Sequence, residues 1–154
     1  MHTSKVFRIH RDVRFSKDKT PYNAHLHISF LPEGHQAAWF FGLDSKKLTL
    51  GAGLFAFGKA ELKTYRTRVA GEDGRVLTQT LKTLTDEGFR IPEPELKRIP
   101  PGFDKDHPAG DLLRRKGLAG WYDFPDTKPV TSQGVVTQCA SVFRNLKPLM
   151  DWLE

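Results

Sequence analysis

The spacing of the apolar residues changes midway along the chain, and that change constrains the fold more than any other feature. In Ala24-His25-Leu26-His27-Ile28-Ser29-Phe30, Leu26, Ile28 and Phe30 fall on one side and His25, His27 and Ser29 on the other. Period two over such a run predicts a half-buried strand. A shorter strand is expected from Val6 to His10, with Asp18 to Asn23 as the connecting turn. Ala37 to Leu43 and Leu48 to Phe57 read as two more strands joined by a turn at Asp44-Ser45-Lys46-Lys47. Such short connections favour antiparallel hairpins over crossover units.

The later residues follow helical spacing. From Lys59 to Ala70, Leu62, Tyr65, Arg66 and Val69 share a face, and Gly71 with Gly74 ends the run. A second helix opens at Asp73 or Gly74, carries Leu77, Leu81 and Leu84 on one side, and stops at Gly88. A proline-rich connector, Ile91 to Gly102, leads to a helix that Asp106 would cap. That helix would hold Leu112 and Leu113, with Arg114, Arg115 and Lys116 in its last turn, where cations oppose the helix dipole. Thr131 to Leu153 is the longest helical pattern; Thr131 or Ser132 would cap it and Pro148 would kink or restart it. Strands followed by helices give an α+β fold: an antiparallel sheet from the N-terminal half packed by helices from the C-terminal half. With 154 residues and no dividing linker, a single domain spanning 1–154 is expected.

The single cysteine, Cys139, rules out an intrachain disulfide and fits a reducing compartment. It lies in line with Val135, Val136, Val142, Phe143 and Leu146, so it reads as a core residue rather than a nucleophile. No apolar run is long enough for a membrane span, and no apolar signal core precedes the first strand; a cytoplasmic protein without membrane contact is the expectation.

Charge is uneven. Up to Tyr22 there are six cations (Lys5, Arg8, Arg11, Arg14, Lys17, Lys19) against Asp12 and Asp18, a local +4 out of a formal total of +6. Guanidinium forks grip phosphate or carboxylate bidentately, and lysine adds a compact charge. Arg8, Arg11, Arg14, Lys17, Lys19 and Tyr22 are therefore the candidate ligand-binding residues, for a small phosphate- or carboxylate-bearing anion. Interleaved acids equally fit structural ion pairs. The alternative is non-specific nucleic-acid binding, with Trp39 or Phe40 stacking on bases. A further alternative is an enzyme, possibly metal-dependent, built on His25 and His27 or on Asp104, Asp106 and His107. The latter group is read more simply as a cap and turn.

Gly53 to Ala60 nearly matches a phosphate-binding loop, but Ala60 lacks the hydroxyl that would hold magnesium, and Leu54, Phe55 and Phe57 suit a packed strand. Gly51-Ala52-Gly53 fails as a dinucleotide fingerprint because Ala56 stands at the third glycine position. These glycines fit close backbone packing. No cofactor is expected.

Four stretches carry a resemblance that covers nearly the whole chain: VFRIHRDVRFSKDKTPYNAHL from Val6, LTLGAGLF from Leu48, LKRIPPGFDKDHPAGDLLRRKG from Leu96, and FRNLKPLMDWLE from Phe143. In order and approximate spacing they resemble the conserved-hypothetical family catalogued as domain of unknown function 2461. The resemblance implies a soluble α+β domain and brings no activity, substrate or cofactor. Members of that family usually carry a further helical segment in front. Here that segment is expected to be missing, so a homodimer or a partner chain would cover the surface it leaves bare. His27 departs from the family pattern, so any role of the His25/His27 pair would be peculiar to this protein.

Overall fold

A computed structural model describes residues 2–125 and 128–154. Its centre is a five-stranded sheet in the order β1-β2-β3-β4-β5, formed by His2–Val6, His25–Pro32, Ala38–Asp44, Leu48–Leu54 and Leu118–Asp123. Every neighbouring pair is antiparallel. The helices are α1 (Lys59–Ala70), α2 (Asp73–Asp86), α3 (Gly110–Leu113) and α4 (Val135–Leu153), with a 3-10 turn at Lys128–Thr131. The fold is the α+β arrangement expected from the change of period.

Cross-strand register decides which side chains share a face. Ile28, Phe41, Leu50 and Tyr122 lie in one row, and Phe30, Trp39, Ala52 and Gly120 in the next. These rows face α4, where Val142, Leu146, Leu149 and Met150 close the core. Leu48, Leu50, Leu146 and Leu149 are completely buried. Tyr65 and Val69 of α1 and Leu77, Leu81 and Leu84 of α2 join the same cluster, matching the expected apolar stripes. At the corner between α1 and α2, a side-chain carbon on Gly74 would stand 1.9 Å from the Val69 carbonyl oxygen, so only glycine permits that backbone approach.

Four expectations are corrected. The first strand is His2–Val6 rather than Val6 to His10. Its ladder with β2 ends after Phe7 donates to the His27 carbonyl. Beyond it, only an isolated bridge joins His10 to Tyr22, because Pro21 has no N–H to extend a ladder. Asp106 does not cap α3, which starts three residues beyond the expected first turn and spans a single turn. α4 begins at Val135 with Gly134 in the N-cap position, and it runs through Pro148 without a restart. Finally, β5 lies among the helices in sequence, yet pairs with β4.

Candidate functional site

The helices occupy one face of the sheet. On the other, register aligns Ser29, Phe40, Gly51 and Trp121 in one row and His27, Gly42, Thr49 and Asp123 in the next. Gly51 makes the floor. A side-chain carbon there would lie 2.4 Å from Cε3 of Trp121, so the indole rests flat on bare backbone. Phe55, just past the end of β4, stacks on Trp121 with ring centres 5.4 Å apart and planes 20° apart, and meets Phe40 at 4.3 Å. Phe40 and Trp121 are 5.7 Å apart. Phe7 stands edge-on to His27 at the far wall.

These rings line a groove of about 520 Å³. That volume is in the range of small-molecule sites, as is an apolar lining with a few polar groups. Phe55 is 56% exposed and Phe7 44% exposed, a large apolar display for a sheet face with ordinary solvent contact.

One wall is polar. Asp123 accepts a 2.6 Å hydrogen bond from the Thr49 hydroxyl and a 3.1 Å bond from Arg90 Nε, and Lys47 Nζ lies 3.4 Å away. Burial works against the Asp123 carboxylate, but the Thr49 and Arg90 bonds and the two cations outweigh it and hold its pKa below the ordinary value. A group depressed in the folded state contributes stability above its unfolded pKa and loses it as pH falls through the folded one. Asp123→Asn is therefore expected to be less stable than the parent at neutral pH, with the gap closing below the ordinary value of 3.8. Urea unfolding at pH 7 and pH 3 measures it; a gap independent of pH would count against this account.

Of the basic N-terminal residues, Arg11, Arg14 and Lys19 each take a different partner. Arg11 Nη1 bonds Asp18 at 2.5 Å, and Arg14 forms a fork with Asp12 through Nε and Nη2. Lys19 Nζ donates to the Val13 carbonyl. Asp12 is held below the ordinary carboxylate range by its Arg14 bonds, and Asp18 by Thr20 and Arg11. Tyr22 sits against His10 with ring centres 5.1 Å apart. Arg8 and Lys17 are exposed, and none of these six residues is among those that line the aromatic groove.

His25 and His27 do come together, with ring centres 4.5 Å apart, but no third metal-ligating side chain joins them among the described residues. His35 contacts Glu154. Asp104 accepts the Asp106 amide and His107 Nδ1 accepts the Ala109 amide, so these residues organise successive turns. Cys139 is half-buried against the core, and burial pushes its thiol pKa up, away from the reactive thiolate. Phe40 lies on the open face as a stacking residue requires, whereas Trp39 faces the core edge-on to Phe143. Trp121 is not among the residues that the sequence marks as candidates, and Phe55, expected to pack within a strand reaching Phe57, instead lies beyond the end of β4 and is exposed; the aromatic pair Trp121-Tyr122 after Gly120 is the available signal for both β5 and the groove.

A five-stranded antiparallel sheet with helices on one face and an aromatic groove on the other defines an open-faced α+β domain. More particularly, the chain belongs to the family of conserved hypothetical proteins catalogued as domain of unknown function 2461, whose family model matches residues 1–152. No curated protein and no solved structure matches it. No helix among the described residues is long and apolar enough to cross a membrane.

Proposed function

We propose that this domain binds a small ligand consisting of a planar ring with a carboxylate or phosphate substituent, in the groove over Gly51. The observation that supports the reading is the cluster of Phe40, Phe55 and Trp121 on the sheet face opposite the helices. Such rings offer flat, rigid, low-entropy contact to another ring. The segment containing Arg8, Arg11, Arg14, Lys17, Lys19 and Tyr22 follows Phe7, which lines the groove. Its net charge of +3, five cations against Asp12 and Asp18, draws anions toward the site through the field around it rather than through direct contact.

Removing Trp121 takes away the largest ring. Trp121→Ala is expected to weaken binding of phenylacetamide, an uncharged ring probe, by roughly fivefold or more, from the ~1–3 kcal/mol that a stacked ring contributes. Ligand-detected NMR or calorimetry measures it. Equal binding by the parent and by Trp121→Ala would end the reading, as would no binding to the parent.

A second reading is favoured by the same rings lying beside a basic segment: stacking of bases from single-stranded nucleic acid. It requires affinity for mixed-sequence oligonucleotides that falls steeply between low and physiological salt. An oligonucleotide that shows no binding even at low salt would leave the small-ligand reading alone.

A further inference from the structure

Beside the aromatic groove lies a second, smaller cavity of about 60 Å³. Phe55 and Trp121 line both, so the two spaces adjoin at these residues. Arg115 lines the small cavity and is more than nine-tenths buried. Its Nη1 donates to the Pro92 carbonyl, but its Nε has no hydrogen-bond partner among the described residues. Nor does any carboxylate among them lie within ion-pairing distance of it, in contrast to Arg11, Arg14 and Arg90. Glu95 also lines the cavity, but its Oε2 is engaged by the Lys116 amide.

A buried guanidinium held in no ion pair is costly, and leaving one of its N–H groups unmet adds a desolvation penalty. We propose that Arg115 is the anion subsite of the groove: it receives the carboxylate of a ligand whose ring lies on Trp121 and Phe55. The size of the cavity fits that assignment. One water needs about 10–15 Å³ on such a measure, so the space suits a group of roughly four non-hydrogen atoms, a carboxylate and the carbon that carries it. The inference rests on the ring-binding reading above and adds the class of acid that the site accepts.

Two probes of the same shape separate the two ideas: phenylacetate carries the charge, and phenylacetamide replaces it with a neutral amide. The parent chain is expected to bind phenylacetate roughly tenfold or more tightly than phenylacetamide, because hydrogen bonds to a charged group contribute about 1.5–3 kcal/mol. In Arg115→Met, which keeps much of the apolar stem, that preference is expected to vanish. Nitrogen–proton NMR of the unaltered chain gives a readout independent of any variant: the Arg115 Nε–Hε resonance is expected to shift on adding phenylacetate and not phenylacetamide. If both probes bind the parent equally and the resonance stays put, the Arg115 subsite is overturned while the ring-binding reading stands. If neither probe binds, the groove reading fails and the subsite with it.

Discussion

Gly53→Ala is expected to be the most damaging single-methyl substitution in the sheet, destabilising the protein by roughly 2–6 kcal/mol. Two effects combine. Gly53 has a φ of +143°, a conformation that residues with a side chain rarely adopt. The added carbon would also stand 2.2 Å from the Leu118 carbonyl oxygen and 2.5 Å from the Ala119 Cα. Both are backbone atoms of the paired strand β5, so no rotamer change relieves the contact. Either β5 moves away, taking Trp121 with it, or Gly53 abandons its conformation and its pairing with Ala38.

Against a total stability of about 5–15 kcal/mol, a cost in that range removes a sizeable share of it. In a domain of this size it lowers Tm by roughly 10 °C. Gly34→Ala is the control: its φ is +82°, but the new carbon meets nothing within 4 Å, so strain acts alone and the expected loss is about 1 kcal/mol. Thermal unfolding of both variants decides the matter. If Gly53→Ala loses no more than Gly34→Ala, the close approach of β4 and β5 is not as described.

Gly53 also illustrates what could be read in advance. The near-match to a phosphate loop invites a nucleotide, but the bulky residues between its glycines point to packing, and Gly53 sits in β4, paired with β3 on one side and β5 on the other. β2 was legible because one of its faces meets the core and the other does not, which writes period two into the sequence. α1 and α2 were legible because each buries a single stripe. β5 was not. Its Ala119 and Gly120 are small because Gly53, Leu146 and Ile91 press on them, so the apolar alternation that marks a strand is missing.

The charged residues show a different limit. Counting cations singled out Arg11 and Arg14, whereas Asp18 and Asp12 lie within reach of each and neutralise them locally. The sequence places Arg115 in the last turn of a helix, as a cation opposing the helix dipole. Because α3 is only four residues long, the chain turns before Arg115, and its side chain is buried instead. Helix length is set here by the packing of Leu112 and Leu113 under α1, which local sequence does not encode.

That same dependence on distant partners makes a paired test of the core. Leu146→Ala removes a completely buried side chain from the helix that covers β4, and is expected to cost about 2–5 kcal/mol, depending on how far the site collapses. Beneath it is Gly120, where an added carbon would stand 2.9 Å from Leu146 Cδ2, 3.3 Å from Ile91 Cδ1 and 3.5 Å from Leu149 Cδ2. Gly120→Ala alone overfills this spot and is expected to lose about 1–3 kcal/mol. In the double variant the alanine at position 120 enters the volume that Leu146 Cδ2 has left, so each change relieves the other. The combined loss should fall short of the sum of the single losses by at least about 0.5 kcal/mol, the lower end of coupling between residues in contact. Urea unfolding of the four proteins closes the cycle. Strict additivity would mean that α4 does not seat Leu146 on Gly120, and the packing of the helical layer over β5 would need to be redrawn.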